Sequence, residues 1–451
     1  MRRSRIFWIL LIAVAMLTLV AVSCGEDKEE KATPPAGTAA AKTPATTPQA
    51  GDTTGITDTQ IIIGTHQPLT GPAAAYAQIS KGLAAYFDYI NEAEGGVYGR
   101  KIKLLVEDDG YSPPQTVEVV RRLVEQDKIF AMLGGLGTAT HMQVVDYLMD
   151  RGVPDFFVST GALEWVKDPE ARPNVFGILP NYIAEGIIFG KYITETYPGV
   201  KVGVVGQNDD FGLDGYDGVK RGLGDGIELL PLETFESTDP DVNSQVDRLK
   251  SAGAGALVIF ATPAQSPAAI RHARAELGWD VPIFIGTVSA NELTIALAGG
   301  GENAEGVISN EALKHAYETD DPAIALHLAN MDKYANQKAA SNLTLYGQTL
   351  AETFINALKV AGPDLTREGV IAAAENAPPI KCSVCLFTNS MSPTDHDASQ
   401  SVVLSKVELD PTQTFGAKWV PFVDYFYSWQ GILPQDLTAD NMEKLPYPEK
   451  D

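Results

Sequence analysis

Residues 129–161, IFAMLGGLGTATHMQVVDYLMDRGVPDFFVSTG, constrain the fold of this chain more than any other stretch. A short apolar run at 129–133 stops at Gly134-Gly135-Leu136-Gly137-Thr138. Residues 139–150 then carry Met142, Val145, Leu148 and Met149 at helical spacing, and Gly152 and Pro154 stop that segment. A second apolar run, 156–158, ends in Ser159-Thr160-Gly161. The order is strand, loop, helix, strand, loop. In an open parallel sheet both loops lie at the carboxyl ends of their strands, where such folds take ligands. Glycines let the backbone approach a ligand closely, and hydroxyls and amides supply donors. The plainer reading of the glycines is a tight connection. Two such loops ending consecutive strands favour the ligand reading.

The same alternation continues. Apolar runs at 61–64, 102–107, 175–179, 202–205, 256–260 and 283–285 read as strands. Helical patterns at 76–93, 116–126, 185–196, 216–223 and 268–277 separate them. This predicts an α/β fold with doubly wound parallel sheets. Two blocks, 61–180 and 181–305, are each about the size of a domain. Two such lobes would face each other across a cleft lined by strand-end loops, an arrangement suited to hinge closure on a small ligand. Helices at 321–339 and 346–361 and late strands at 402–409 and 419–421 follow.

The first 23 residues read as an export signal, with Arg2, Arg3 and Arg5 before an apolar stretch at 6–22. Ala21-Val22-Ser23-Cys24 resembles the lipobox of bacterial lipoproteins, which implies cleavage before Cys24 and acylation of its sulfur. The alternative is a plain signal anchor. Acyl chains would hold the protein firmly to the membrane. Residues 24–55, rich in Ala, Thr, Pro, Lys and Glu, are expected to form a disordered tether. The folded part is therefore expected outside the cytoplasm, lipid-anchored to the cell membrane in the periplasm or at the cell surface. With 34 basic against 58 acidic residues, the net charge of −24 argues against nucleic acid as a partner.

Other chemistry is weakly signalled. Asp210-Phe211-Gly212 spells a kinase magnesium motif, but no Gly-rich ATP loop or catalytic loop accompanies it. It reads as a strand-end loop. The glycines at 134–137 do not make a dinucleotide fingerprint. The six histidines show no metal-ligand spacing, so no metal is expected, and no motif in the chain calls for a cofactor or for an enzyme. Cys382-Ser383-Val384-Cys385 could be redox or metal chemistry in the cytoplasm. Outside it, a small local disulfide is expected.

Taken together, the chain resembles the branched-chain amino acid binding proteins of ABC importers, the leucine-binding type, over residues 56–421. The marks are Ile61-Ile62-Ile63-Gly64 with Pro68-Leu69-Thr70-Gly71, Asn91-Glu92-Ala93-Glu94-Gly95-Gly96-Val97, and Gly99-Arg100-Lys101-Ile102 through Asp108-Asp109. The loops at Gly134 and Ser159, Asp210-Phe211-Gly212 and Ser392-Pro393-Thr394-Asp395-His396 complete them. The resemblance implies a type I periplasmic binding fold, with three strands crossing between lobes near Leu179, Gly306 and Asp395. Lobe 1 would then comprise 56–180 plus 306–395, lobe 2 181–305 plus 396–430, and 431–451 a C-terminal tail.

The resemblance also implies a ligand site. The hydroxyl that grips a ligand carboxylate falls on Thr138, and the next loop brings Ser159, Thr160 and Gly161. Phe211 takes the position of an aromatic residue closing from the second lobe, and another such position falls near Pro263, beside Thr262. A second hydroxyl is replaced by Leu163. The acids that meet an amino group fall on Val288 and Tyr182. A buried ammonium without an anion is costly. The sequence therefore predicts a ligand lacking a free α-ammonium, an aromatic or aliphatic carboxylate or an amide, among Tyr76, Thr138, Tyr182 and Phe211. The implied partners are an ABC permease and its ATPases, with the receptor a monomer. The alternative is a sensory protein of the same fold without transport partners, and a hydrolase using Ser159 is a distant third.

Overall fold

A computed structural model describes residues 51–447. Cys24, the expected signal and most of the expected tether lie outside the described residues. The first lobe runs β1 (Gln60–Gln67), α1 (Ala77–Ala93), β2 (Lys101–Asp108), α2 (Pro113–Glu125), β3 (Ala131–Leu133), α3 (Thr138–His141), α4 (Val145–Asp150), β4 (Asp155–Val158) and β5 (Val175–Gly177). Its sheet has the order β2-β1-β3-β4-β5, and every pairing is parallel. β3 and β4 are buried at each residue, the signature of strands covered on both faces.

One expected helix is divided. The segment 139–150 breaks between His141 and Val145 into α3 and α4. His141 turns inward at the break and its Nε2 meets Asp155 Oδ2 at 2.7 Å on β4. A single amphipathic helix would not direct that ring into the sheet.

The second lobe runs α5 (Tyr182–Thr196), β6 (Lys201–Gln207), α6 (Asp210–Gly222), β7 (Glu228–Leu229), β8 (Glu233–Phe235), α7 (Asn243–Ser251), β9 (Ala256–Phe260), α8 (Gln265–Arg271), β10 (Ile283–Ile285), α9 (Glu292–Leu297), α10 (Gly301–Ala304) and β11 (Ile308–Glu311). Strands β7, β6, β9, β10 and β11 are parallel neighbours. Asp210-Phe211-Gly212, read as loop, is instead the first turn of α6, capped by Asp209 accepting the Phe211 N–H at 3.0 Å. The two helices α5 and α6 pack with backbones nearly touching. A Cβ at Gly186 would lie 2.4 Å from the Gly215 carbonyl oxygen, and one at Gly218 2.3 Å from that of Ile183. Small residues at this crossing set the first turns of the two helices side by side.

The chain then returns to the first lobe as α11 (Pro322–Ala335), α12 (Asn342–Ala361) and α13 (Arg367–Asn376). It finishes in the second sheet as β12 (Ser401–Leu409), β13 (Ala417–Pro421), β14 (Tyr425–Ser428) and β15 (Glu443–Pro446). These late strands are antiparallel to their neighbours, so the second sheet is mixed. The chain passes between lobes after β5, after β11 and just before β12. The second passage follows Glu311 rather than Gly306, because β11 stays paired with β10 as far as Ser309 and with β12 as far as Glu311.

Two chain ends differ from expectation. Residues 431–447 are not a tail: β15 pairs with β14, and Leu437 and Met442 are buried. Residues 51–55 are not free tether. Asp52 accepts from Arg367 Nη1 at 2.8 Å, and the Ile62 N–H donates to the Gly55 carbonyl at 2.9 Å.

Candidate functional site

The carboxyl ends of β1, β3 and β4 in one lobe face the first turns of α5 and α6 in the other. Between them lies a cavity of about 100 Å³, room for several water molecules' worth of ligand. Its walls come from both lobes and from the crossing strands. Most of the lining is apolar or aromatic, as ligand cavities usually are.

The loop 134–138 forms one wall and rests on an unusual base. Asp109 Oδ2 meets His66 Nδ1 at 2.8 Å, His66 Nε2 meets His141 Nδ1 at 2.9 Å, and His141 Nε2 meets Asp155 Oδ2 at 2.7 Å. All four side chains are fully buried. Burial holds the His66 imidazole below its usual pKa, against the pull of Asp109. The chain links the ends of β1 and β2 to α3 and the start of β4 and fixes the floor under Gly135, where a Cβ would lie 2.6 Å from His141 Nδ1 and 2.7 Å from His66 Nε2. Gly134 and Gly137 have φ of +66° and +99°, a region that disfavours side chains.

Six of the residues singled out by sequence line this cavity: Tyr76, Thr138, Ser159, Tyr182, Phe211 and Val288. Thr138 and Thr160 share a hydrogen bond at 2.5 Å between their hydroxyls. Ser159 Oγ accepts from the Tyr346 hydroxyl at 3.3 Å, a phenol in place of the histidine that a hydrolase would need. The rings of Tyr182 and Phe211 pack with centroids 4.5 Å apart, a direct product of the close α5–α6 crossing. Burial carries the phenol of Tyr182 far above its ordinary pKa. Three residues do not reach the lining. Thr160 spends its hydroxyl on Thr138. Gly161 is packed under the hinge, its Cβ position 2.4 Å from the Pro180 carbonyl. Thr262 lies behind the wall, bonded to Gln265 Oε1 at 2.5 Å.

The cavity also holds residues that sequence reasoning missed, among them Tyr111, Leu343, Tyr346, Asn310, Glu311 and Asn342. Asn310 and Glu311 end strand β11, so the strand-end logic that picked out Gly134 and Ser159 applied to them too. Glu311 corrects the expectation of a cleft without an acid. No carboxylate stands at Val288, but one arrives on the crossing strand. A second acid, Glu185, sits just behind the Val288 loop. Its Oε2 accepts the Thr287 N–H at 2.7 Å, and burial pushes its pKa up to about 8 against that hydrogen bond.

Cys382 and Cys385 are joined by a disulfide, and Cys385 lies on the cavity wall next to Phe387. The lobes touch at the rim. The Leu163 N–H donates to Asp214 Oδ2 at 2.7 Å, and the Asn342 N–H to Glu292 Oε2 at 3.3 Å. The cleft is thus closed.

Two α/β lobes shut over an apolar, strand-end cavity define a hinged small-molecule receptor. The chain belongs to the periplasmic binding protein family, whose model matches residues 60–413. It is 27% identical over 332 residues to a Leu/Ile/Val-binding protein homolog of Brucella melitensis, covering 73% of this chain and 87% of that protein. The fold is shared with a fatty acid ABC transporter substrate-binding protein from Thermomonospora curvata (TM-score 0.73, 22% identity, 86% of this chain and 97% of that one). It is also shared with a branched chain amino acid ABC transporter structure from Thermus thermophilus with bound valine (TM-score 0.70, 20% identity, 81% and 95%).

Proposed function

We propose that this protein is the extracytoplasmic solute receptor of an ABC importer, held to the membrane through a lipid on Cys24. It closes on a small acid or amide with an apolar body and hands it to a permease driven by ATPase subunits. The observation that carries this reading is the interlobe cavity itself, where the hydroxyls of Thr138 and Ser159 share walls with Tyr76, Tyr182, Phe211 and Tyr346. The hydroxyls suit a carboxylate or amide oxygen, and the rings suit a flat or branched hydrocarbon. The names of the relatives above, binders of aliphatic amino acids and of fatty acids, agree with that chemistry.

Calorimetric titration with 4-methylpentanoate, benzoate, valine and leucine tests it. At least one should bind, and Thr138→Ala and Phe211→Ala should each weaken that binding about tenfold, the worth of one lost hydrogen bond or ring contact. Affinities unchanged by both substitutions would move the ligand elsewhere.

A further inference from the structure

The crossing strand β11 brings a carboxylate to the cavity with one oxygen, Oε1, unpartnered among the described residues and the other met only by an ion-pair contact. Glu311 is 4% exposed and lines the cavity, and neither Oε1 nor Oε2 has a hydrogen-bond partner among the described residues. His315 Nε2 lies 3.0 Å from Oε2 in an ion-pair contact whose angle falls short of a hydrogen bond. Asn342, also on the lining, donates to His315 Nδ1 at 3.2 Å, which leaves the ring's proton on the side of Glu311. Burial works against charge on His315, yet Glu311 and Glu292 outweigh it and raise its pKa. The imidazole thus touches Glu311 and feels Glu292 only at longer range, and among the described residues Oε1 of Glu311 has no donor. An acceptor left bare in a buried site is expensive, and the cost falls away when a ligand supplies the hydrogen. Nearby, the Asn310 amide approaches Glu185 closely enough to favour its ionised form, but neither amide atom completes a hydrogen bond.

We infer that the ligand carries a hydrogen-bond donor, a hydroxyl, amide N–H or ammonium, that docks on Glu311. This rests on reading the cleft as the ligand site and narrows what the site accepts. Thr138 and Ser159 meet the acid, the aromatic walls hold the hydrocarbon, and Glu311 reads a donor that a plain hydrocarbon acid lacks. The recognising acid stands on the hinge rather than in the Val288 loop. The donor therefore contacts the element about which the lobes move, which ties its recognition to closure.

Two matched pairs test the inference by calorimetry on the whole protein: leucine against 4-methylpentanoate, and 4-hydroxybenzoate against benzoate. In at least one pair the donor-bearing member should bind tenfold tighter or better, because sites that hydrogen-bond a substrate group reject the analogue without it. Glu311→Gln should shrink that ratio towards one while the plain acid keeps its affinity. Glu311→Asp, which keeps the charge but draws it back, should give an intermediate ratio and serves if the glutamine variant does not fold. Equal affinities within both pairs, or a preference that survives both substitutions, would overturn the inference and leave the cleft reading intact. Binding of none of the four probes would defeat the cleft reading and this inference with it.

Discussion

A single methyl tests how rigidly the ligand loop is seated. At Gly135 a Cβ would meet two imidazole rings inside 2.8 Å, and both rings are locked between buried carboxylates. Gly135→Ala should therefore cost roughly 1–3 kcal/mol, the usual range for overpacking, and weaken ligand binding as the loop is displaced. Denaturant unfolding with parallel titrations would check it, and a variant of unchanged stability would mean the rings yield. Glu185 makes a separate prediction about pH. Its folded pKa, up at about 8, lies above the ordinary 4.5 of the unfolded chain. The folded form thus binds the extra proton, so the stability from this group is complete below 4.5 and is lost as pH rises through 8. Glu185→Gln keeps an acceptor for the Thr287 N–H and removes the titration. The variant's melting temperature should fall less between pH 5 and pH 8 than that of the parent. Parallel curves would show that Glu185 does not titrate in that window. Neither residue's role was legible beforehand, because the floor under Gly135 is made by His66 meeting His141 from 75 positions away, and Glu185 is met by Thr287 from 102 positions away.

At the scale of elements, α6 carries both a wall of the cavity and a latch. Phe211 lines the cavity from its first turn, while Asp214, one turn on, accepts the Leu163 N–H across the rim. Burial in the closed form pushes Asp214 up to about 7. Opening would return it to water and to an ordinary carboxylate pKa, so closure takes up a proton. Ligand affinity should then fall about tenfold as pH rises from 6 to 8, because the closed form gives up this proton on passing through 7. Asp214→Asn should flatten this dependence. Titrations at three pH values would decide, and a variant as pH-sensitive as the parent would remove Asp214 from the latch. A second element is the turn closed by Cys382 and Cys385. Replacing both cysteines by serine should cost about 2 kcal/mol from loop-closure entropy alone, and should loosen the wall at Cys385 and Phe387. Thermal unfolding and ligand titration of the double variant measure both effects. The spacing of the cysteines made the pairing readable; that it borders the ligand cavity was not, since the turn reaches it only through the return of α12 to the first lobe.

For the whole molecule, the described body begins earlier than composition suggested. Arg367 donates to the carbonyls of Ile129 at 2.6 Å and Phe130 at 3.0 Å, and Asp52 completes its pairing. That one guanidinium ties the N-terminal segment, the start of α13 and the strand leading into the ligand loop. A chain starting at Gly51 should unfold and bind like the full-length protein, whereas one starting at Thr57 should be destabilised by about 1–3 kcal/mol, having stripped a buried charge of its partner. Equal stability of the two truncated chains would make Asp52 incidental.

The sequence by itself determined the alternating strands and helices and the loops at their carboxyl ends, while the choice of Thr138, Tyr182 and Phe211 came from the resemblance to the binding-protein family. Those signals are local, since periodicity and glycine breaks are written within a dozen residues of each element. Only the tertiary structure decided which charges meet in the cleft. Glu311 stands at a strand end, yet it meets His315 and Asn342 in the cleft only because β11 ends at the passage between lobes and α12 brings Asn342 back beside it. Electrostatic recognition depends on distances between chain segments far apart in order, and burial sets its strength. Neither is fixed until both lobes have folded and met.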